Sequence, residues 1–185
     1  MINPRSVTRI WLALAAGTVA FGAAACSSGS TSPSSNVPTV MPGAWSVLGS
    51  STSAGVGAST ASQAYVAQLA AAYAPRGVTV TNLAVSGSVT WQWLPTGSVP
   101  PVGRPVPYTN NIDNALSSNP KLLMFSASTN DLAAGFSVDE LINNLTTLRS
   151  YAMARGVTTI ILGPPPRTGG LTDAQRALLP TIELL

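Results

Sequence analysis

Histidine is absent from the 185 residues of this chain, which contain one cysteine and one lysine. Without histidine, these residues cannot form a Ser-His or Cys-His catalytic pair or a His-liganded zinc site. The lone cysteine, Cys26, excludes an internal disulfide and a thiolate metal site. The lysine, Lys121, does not follow a glycine, and a G-x-G pair at 55–57 is completed by Thr60 instead of a third glycine, so neither nucleotide-binding fingerprint is met. We therefore predict no metal and no organic cofactor.

Charge is also scarce, since charged residues make up 8% of the chain and the formal net charge is +3. Two of the nine basic residues, Arg5 and Arg9, lie in a predicted leader, which leaves seven against six acidic residues. No basic cluster remains, so the sequence predicts no nucleic-acid partner. Apolar residues make up 45% of the chain, enough to build the core of one domain.

Residues 1–25 are typical of an export signal, because Arg5 and Arg9 precede an alanine-rich apolar run that is short for a membrane span. The run ends in A-A-A-C, which resembles a bacterial lipobox with Cys26 as the lipidated N-terminus. We expect an exported protein held at the cell membrane or envelope by a lipid anchor on Cys26. The alternative is an ordinary secretory signal cleaved after an A-x-A site, which leaves Cys26 as a free thiol. Residues 26–43, rich in Ser, Thr and Pro, predict a flexible tether or an unanchored disordered tail.

Residues 44–185 predict one domain in which strands and helices alternate. Tyr and Leu at four-residue spacing predict a helix over 61–74, and a capping box at Ser137 and Glu140 predicts another up to Gly156. The predicted strands are a short run ending at Leu48 and the segments 78–85, 121–125 and 157–162. Between them, Trp91–Tyr108 predicts a long ordered loop whose aromatic residues line a pocket or cover the edge of the core. The alternation predicts a parallel sheet covered on both faces, with a site at the strand C-termini.

Small and hydroxyl residues follow three of these strands: G-S-S-T-S-A-G at 49–55, N-L-A-V-S-G at 82–87 and S-T-N-D-L at 128–132. Ser51 is the candidate nucleophile of the first stretch. Taken singly, each stretch has a plainer interpretation. The serines cap the next helix, Gly87 is a turn glycine, and Asn130 with Asp131 is a capping pair.

Together, in this order and at these strand ends, the three stretches resemble the first three sequence blocks of the SGNH hydrolases, also called the GDSL esterase/lipase family. The resemblance implies a three-layer α/β, flavodoxin-like fold and activity on small-molecule carboxylic esters. It implies that Ser51 is the nucleophile, with its own N–H, the Gly87 N–H and the Asn130 amide stabilising the oxyanion. Asp131 is then structural, because the family's catalytic carboxylate belongs to a later block.

The sequence departs from the family in three places. Ser50 replaces the usual acidic residue before the nucleophile, and Ser128 replaces the glycine two positions before Asn130. The D-x-x-H block that supplies the general base and its orienting carboxylate is absent. We therefore expect a domain that lacks its C-terminal strand and helix, with residues 157–162 as an exposed, aggregation-prone edge and with little or no activity. The alternatives are a catalytically inactive surface lipoprotein that binds acyl or glycan ligands, and a purely structural envelope protein.

Overall fold

The computed structural model describes residues 40–127, 129–165 and 169–180. The predicted signal, Cys26 and most of the predicted tether lie outside these residues, as does Ser128. The described strands are β1 (Gly43–Leu48), β2 (Val78–Asn82), β3 (Leu122–Ser126) and β4 (Thr158–Leu162). The α-helices are α1 (Ser51–Ala54), α2 (Tyr65–Tyr73), α3 (Ile112–Leu116), α4 (Asn130–Ala133), α5 (Val138–Met153) and α6 (Asp173–Ala177). Three 3₁₀ turns complete the description, at Ala61–Gln63, Ala74–Arg76 and Thr90–Trp93.

The four described strands form one parallel sheet in the order β2-β1-β3-β4. Successive side chains of a strand point to opposite faces, so β1 and β3 supply apolar residues to both sides. On one face, Trp45, Val47 and Met124 pack beneath α2. On the other, Leu48 and Phe125 join the apolar stripe of α5 and residues of α3. The result is the predicted three-layer α/β architecture around a parallel sheet.

Helix α5 begins where its capping box predicts. The Ser137 hydroxyl accepts from the Glu140 N–H at 3.1 Å, and the Glu140 carboxylate accepts from the Ser137 N–H at 3.1 Å. The apolar positions at four- and three-residue spacing, Leu141, Leu145 and Leu148, are each at most 4% exposed. Local capping chemistry and burial of one face therefore agree on this helix.

The helix predicted over 61–74 is interrupted in the structure. Ala64 adopts an extended backbone conformation between the 3₁₀ turn and α2. Its methyl group lies only 3.0 Å from where a Cβ on Gly55 would stand, so the kink packs Ala64 against the loop after β1. The helix propensity of this run therefore does not set the backbone of Ala64.

Strand β4 lies at an edge of the described sheet, as predicted. Ile160 and Ile161, which point to opposite faces, remain 42% and 41% exposed. The predicted tendency of this edge to aggregate stays a prediction. In the described residues, no helix is both long and apolar enough to cross a membrane.

Candidate active site

Ser51 is the first residue of α1, three residues after the end of β1. Its side chain is half-buried, and its hydroxyl has no hydrogen-bond partner within the described ranges. As the first residue of a helical turn, it has a backbone N–H without an intrahelical acceptor. The close turn before it requires glycine, because a Cβ on Gly49 would lie 2.7 Å from the Cβ of Ser53. The preceding Ser50 does not cap α1 with its side chain, so the plain capping interpretation of this serine is wrong.

The loop after β2 is held directly against this turn. The Val85 N–H donates to the Gly49 carbonyl at 3.1 Å, and the Ser88 hydroxyl donates to the same oxygen at 3.1 Å. The indole N–H of Trp93 in turn donates to Ser88 Oγ at 2.9 Å. Gly87 lies inside this loop with φ +81°, a left-handed conformation that favours glycine, and a Cβ there would meet open space. Its N–H has no partner among the described residues and is available to a ligand.

Asn130, the first residue of α4, joins the third loop to the other two. Its Nδ2 donates to Ser50 Oγ at 2.6 Å and to the Ser88 carbonyl at 3.0 Å. The N-cap of α4 is Thr129, so the interpretation of Asn130 as a capping residue does not hold. Ser51 and Asn130 line the same small pocket, which Pro165 closes from the loop after β4. Gly87 is not in its lining, and the carbonyl of the next residue, Ser88, bonds Asn130.

Asp131 is fully buried, and its side chain bonds a different residue from those that the neighbouring Asn130 bonds. Its carboxylate accepts from the Thr90 hydroxyl at 2.6 Å and from the Thr90 N–H at 3.0 Å. Asn144 of α5 donates to the same hydroxyl at 3.0 Å. Burial raises the pKa of Asp131 to about 6, against the lowering effect of the Thr90 hydrogen bonds. These contacts support the predicted structural role.

The loop Trp91–Tyr108 covers the core edge, the second of its two predicted roles. Trp93 is 1% exposed and belongs to the core, and the half-buried Trp91 packs against the same core. Farther along, Arg104 forms a two-pronged ion pair with Glu140 at 2.7 and 2.9 Å and stacks over the Phe136 ring. The loop is therefore tied to the start of α5.

A family model, described as the GDSL-like lipase/acylhydrolase family, matches residues 47–184. The chain belongs to this family. The match runs from β1 through all three stretches at the strand ends. No sequence among the curated proteins matches the chain.

Solved structures of SGNH hydrolases share the fold. The psychrotrophic esterase EstA from Pseudoalteromonas sp. is 19% identical over 76% of this chain and 70% of its own, with a TM-score of 0.53. TesA is 21% identical over 76% of this chain and 70% of its own, with a TM-score of 0.56. The SGNH-hydrolase family esterase AlinE4 is 22% identical over 75% of this chain and 67% of its own, with a TM-score of 0.53. At these identities the likeness establishes the fold alone.

The GDSL-family sequence pattern did not reveal the buried network of Asp131, Thr90 and Asn144. The sequence does contain one sign that Asn144 is buried. It lies three residues after Leu141 and four before Leu148, within the apolar stripe of α5. A polar residue on a buried face needs a hydrogen-bond partner. Within the described ranges, no cluster of three or more His, Cys, Asp or Glu residues is placed to hold a metal ion.

Proposed function

We propose that this GDSL-family chain is an exported serine ester hydrolase in which Ser51 attacks the carbonyl carbon of a small-molecule carboxylic ester. The developing oxyanion is met by the N–H groups of Ser51 and Gly87 and by the Asn130 amide. The observation that carries the proposal is the Asn130 side chain, which reaches from the third loop to the first and second loops at 2.6 and 3.0 Å. Donors fixed in advance stabilise charge that appears only on the way to the transition state.

The reaction needs a route for the serine proton. As the Ser51 Oγ–carbon bond forms and the ester C–O bond breaks, that proton must pass to the departing alcohol, and water later cleaves the acyl-serine to release the acid. The 185 residues contain no histidine to act as this base. A serine hydroxyl without a base is a weak nucleophile, so we expect slow turnover from these residues alone.

Covalent labelling tests the nucleophile without requiring turnover. We expect a fluorophosphonate probe to modify Ser51, as read by peptide mass spectrometry, and Ser51→Ala to abolish the adduct. Asn130→Ala should slow labelling about 10²- to 10³-fold, the usual cost of one oxyanion donor. Ser62→Ala is the control, because Ser62 is an exposed serine outside the pocket and its hydroxyl bonds the Thr60 hydroxyl at 3.0 Å. Modification at another serine would contradict the proposal.

A second candidate function is a surface protein that binds acyl or glycan ligands without turning them over. The observation that favours it is the absence of histidine. Such a binder would retain saturable ligand binding when Ser51 is replaced by alanine, and neither wild type nor the variant would hydrolyse the ester. Ester hydrolysis that is lost in Ser51→Ala would exclude the binder, and an adduct at Ser51 would exclude a purely structural envelope protein.

We propose further that the chain is lipid-anchored at the cell envelope through Cys26. The support comes from the leader sequence, with two arginines before an alanine-rich apolar run that ends at the single cysteine. Mass spectrometry of the protein from a bacterial membrane fraction should find diacylglyceryl-modified Cys26 at the N-terminus. Cys26→Ser should move the protein out of that fraction. An unmodified N-terminus after cleavage would instead indicate ordinary secretion.

A further inference from the structure

The hydrogen bonds of the Asn130 amide fully occupy its donors. A carboxamide nitrogen carries two hydrogens. One acceptor is Ser50 Oγ at 2.6 Å and the other is the Ser88 carbonyl at 3.0 Å. With one hydrogen given to each acceptor, neither remains for an oxyanion. An oxyanion on the acyl group can therefore accept a hydrogen bond from the Asn130 amide only if it replaces one of these two acceptors.

Ser50 is the acceptor nearer to the reaction, because it directly precedes Ser51. Its side chain is only 6% exposed, and within the described part of the chain its hydroxyl oxygen has one partner, Asn130. It does not cap α1. The Ser88 carbonyl belongs to the backbone of the loop after β2. The Ser88 hydroxyl and the Val85 N–H both hold this loop to the Gly49 carbonyl, so the Ser88 carbonyl is the more firmly fixed of the two acceptors.

We propose that Ser50 is a positioning residue that holds the Asn130 amide in a resting hydrogen bond, in competition with the oxyanion. This inference rests on the proposed role of Asn130 as an oxyanion donor. On attack, the hydrogen aimed at Ser50 turns to the substrate oxygen, and the neutral hydroxyl of Ser50 is left without that donor. The resting bond thus reduces the benefit gained from Asn130, and its removal increases that benefit.

The sign of the expected effect distinguishes this role from simple structural support. Ser50→Ala frees one Asn130 hydrogen, and because a typical hydrogen bond contributes a modest net amount, labelling of Ser51 should become about 2- to 10-fold faster. The gain should appear in the maximal inactivation rate and not in the probe concentration at half-saturation. A support role predicts the opposite, a slower reaction.

The experiment measures fluorophosphonate labelling for wild type, Ser50→Ala, Asn130→Ala and the double variant. We expect the acceleration by Ser50→Ala to vanish when Asn130 is already alanine, because the effect acts through that amide. Ser62→Ala, a control at an exposed serine outside the pocket, should label at the wild-type rate. Slower labelling of Ser50→Ala, or an acceleration that persists without Asn130, overturns the inference while leaving Ser51 as the nucleophile.

A second measurement does not depend on reactivity. In the NMR spectrum of ¹⁵N-labelled protein, Ser50→Ala should move one of the two Asn130 side-chain amide proton resonances upfield and leave its partner in place. If neither resonance moves, the resting bond to Ser50 does not exist and the inference fails. If the resonance moves but wild type never labels at Ser51, the proposed function fails, and with it the competition with an oxyanion.

Discussion

The buried carboxyl group of Asp131 should make the protein less stable as the pH rises from weakly acidic to neutral. Its pKa is about 6 in the folded protein, against an ordinary value of 3.8, because burial disfavours the charged form. The folded state therefore binds the proton more tightly than the unfolded state. The stabilisation that results is fully present below pH 3.8 and is lost as the pH rises through about 6.

The size of the effect follows from the two pKa values. The difference between 3.8 and about 6, at about 1.4 kcal/mol for each pH unit, corresponds to about 3 kcal/mol in the free energy of unfolding. Integrated over the titration, about 2 kcal/mol of this lies between pH 4.5 and 7.5. The nearby carboxylate of Glu140 has its pKa lowered from 4.5 to about 2 by Arg104, so its contribution changes mainly below this window and is common to wild type and Asp131→Asn.

The assay is urea unfolding of wild type and Asp131→Asn at pH 4.5, 5.5, 6.5 and 7.5. Asparagine keeps the size of the side chain and can accept from the Thr90 N–H, but it does not titrate. The stability of wild type relative to Asp131→Asn should fall by about 2 kcal/mol from the lowest to the highest pH. A difference that stays constant across this range would refute the reasoning, because it would mean that Asp131 does not change protonation there.

Three further substitutions test the packing around the site. Gly49→Ala should lower the free energy of unfolding by about 1–3 kcal/mol, since its Cβ would press on Ser53, and a wild-type melting temperature would show that Ser53 can move aside. Leu141→Ala, at a position with no exposed surface, should cost about 2–5 kcal/mol in a urea melt, and a smaller loss would mean that the core collapses around the cavity. Ser137→Ala removes the hydroxyl that caps α5 at the Glu140 N–H and should cost about 0.5–2 kcal/mol, with Ser137→Thr as the control that keeps a hydroxyl.

The parts of the fold that the sequence predicted are those set by local patterns. Helix α5 follows from a capping box and an apolar stripe, and both signals lie within a few turns of chain. Three of the four strands follow from short apolar runs ended by turn residues, whereas β2 ends at Asn82 and not at the predicted Val85. Ala64 shows the limit, because its backbone is extended although the residues around it favour a helix, and its methyl group lies beside Gly55, nine residues earlier.

The candidate site also has a part that the sequence predicts and a part that it does not. The positions of Ser51, Gly87 and Asn130 at strand ends could be predicted, since the carboxyl ends of parallel strands meet at one edge of the sheet. The partners of these residues could not. Asn130 bonds Ser50 across 80 residues of sequence, and Asp131 bonds Thr90 across 41, distances over which no local pattern carries information.

The contacts that join the three loops are polar. Ser88, Asn130 and Gly49 are connected by side-chain hydrogen bonds to backbone carbonyls, so the geometry of the proposed oxyanion donors does not depend on a catalytic base. Binding of a tetrahedral or anionic acyl group and turnover of an ester are therefore separable properties of this chain. A fluorophosphonate, whose fluoride departs without being protonated, needs a base only for the attack of the serine, whereas an ester also needs an acid for the departing alcohol. Slow but detectable labelling of Ser51 together with negligible ester turnover is thus the combination that this arrangement of residues predicts.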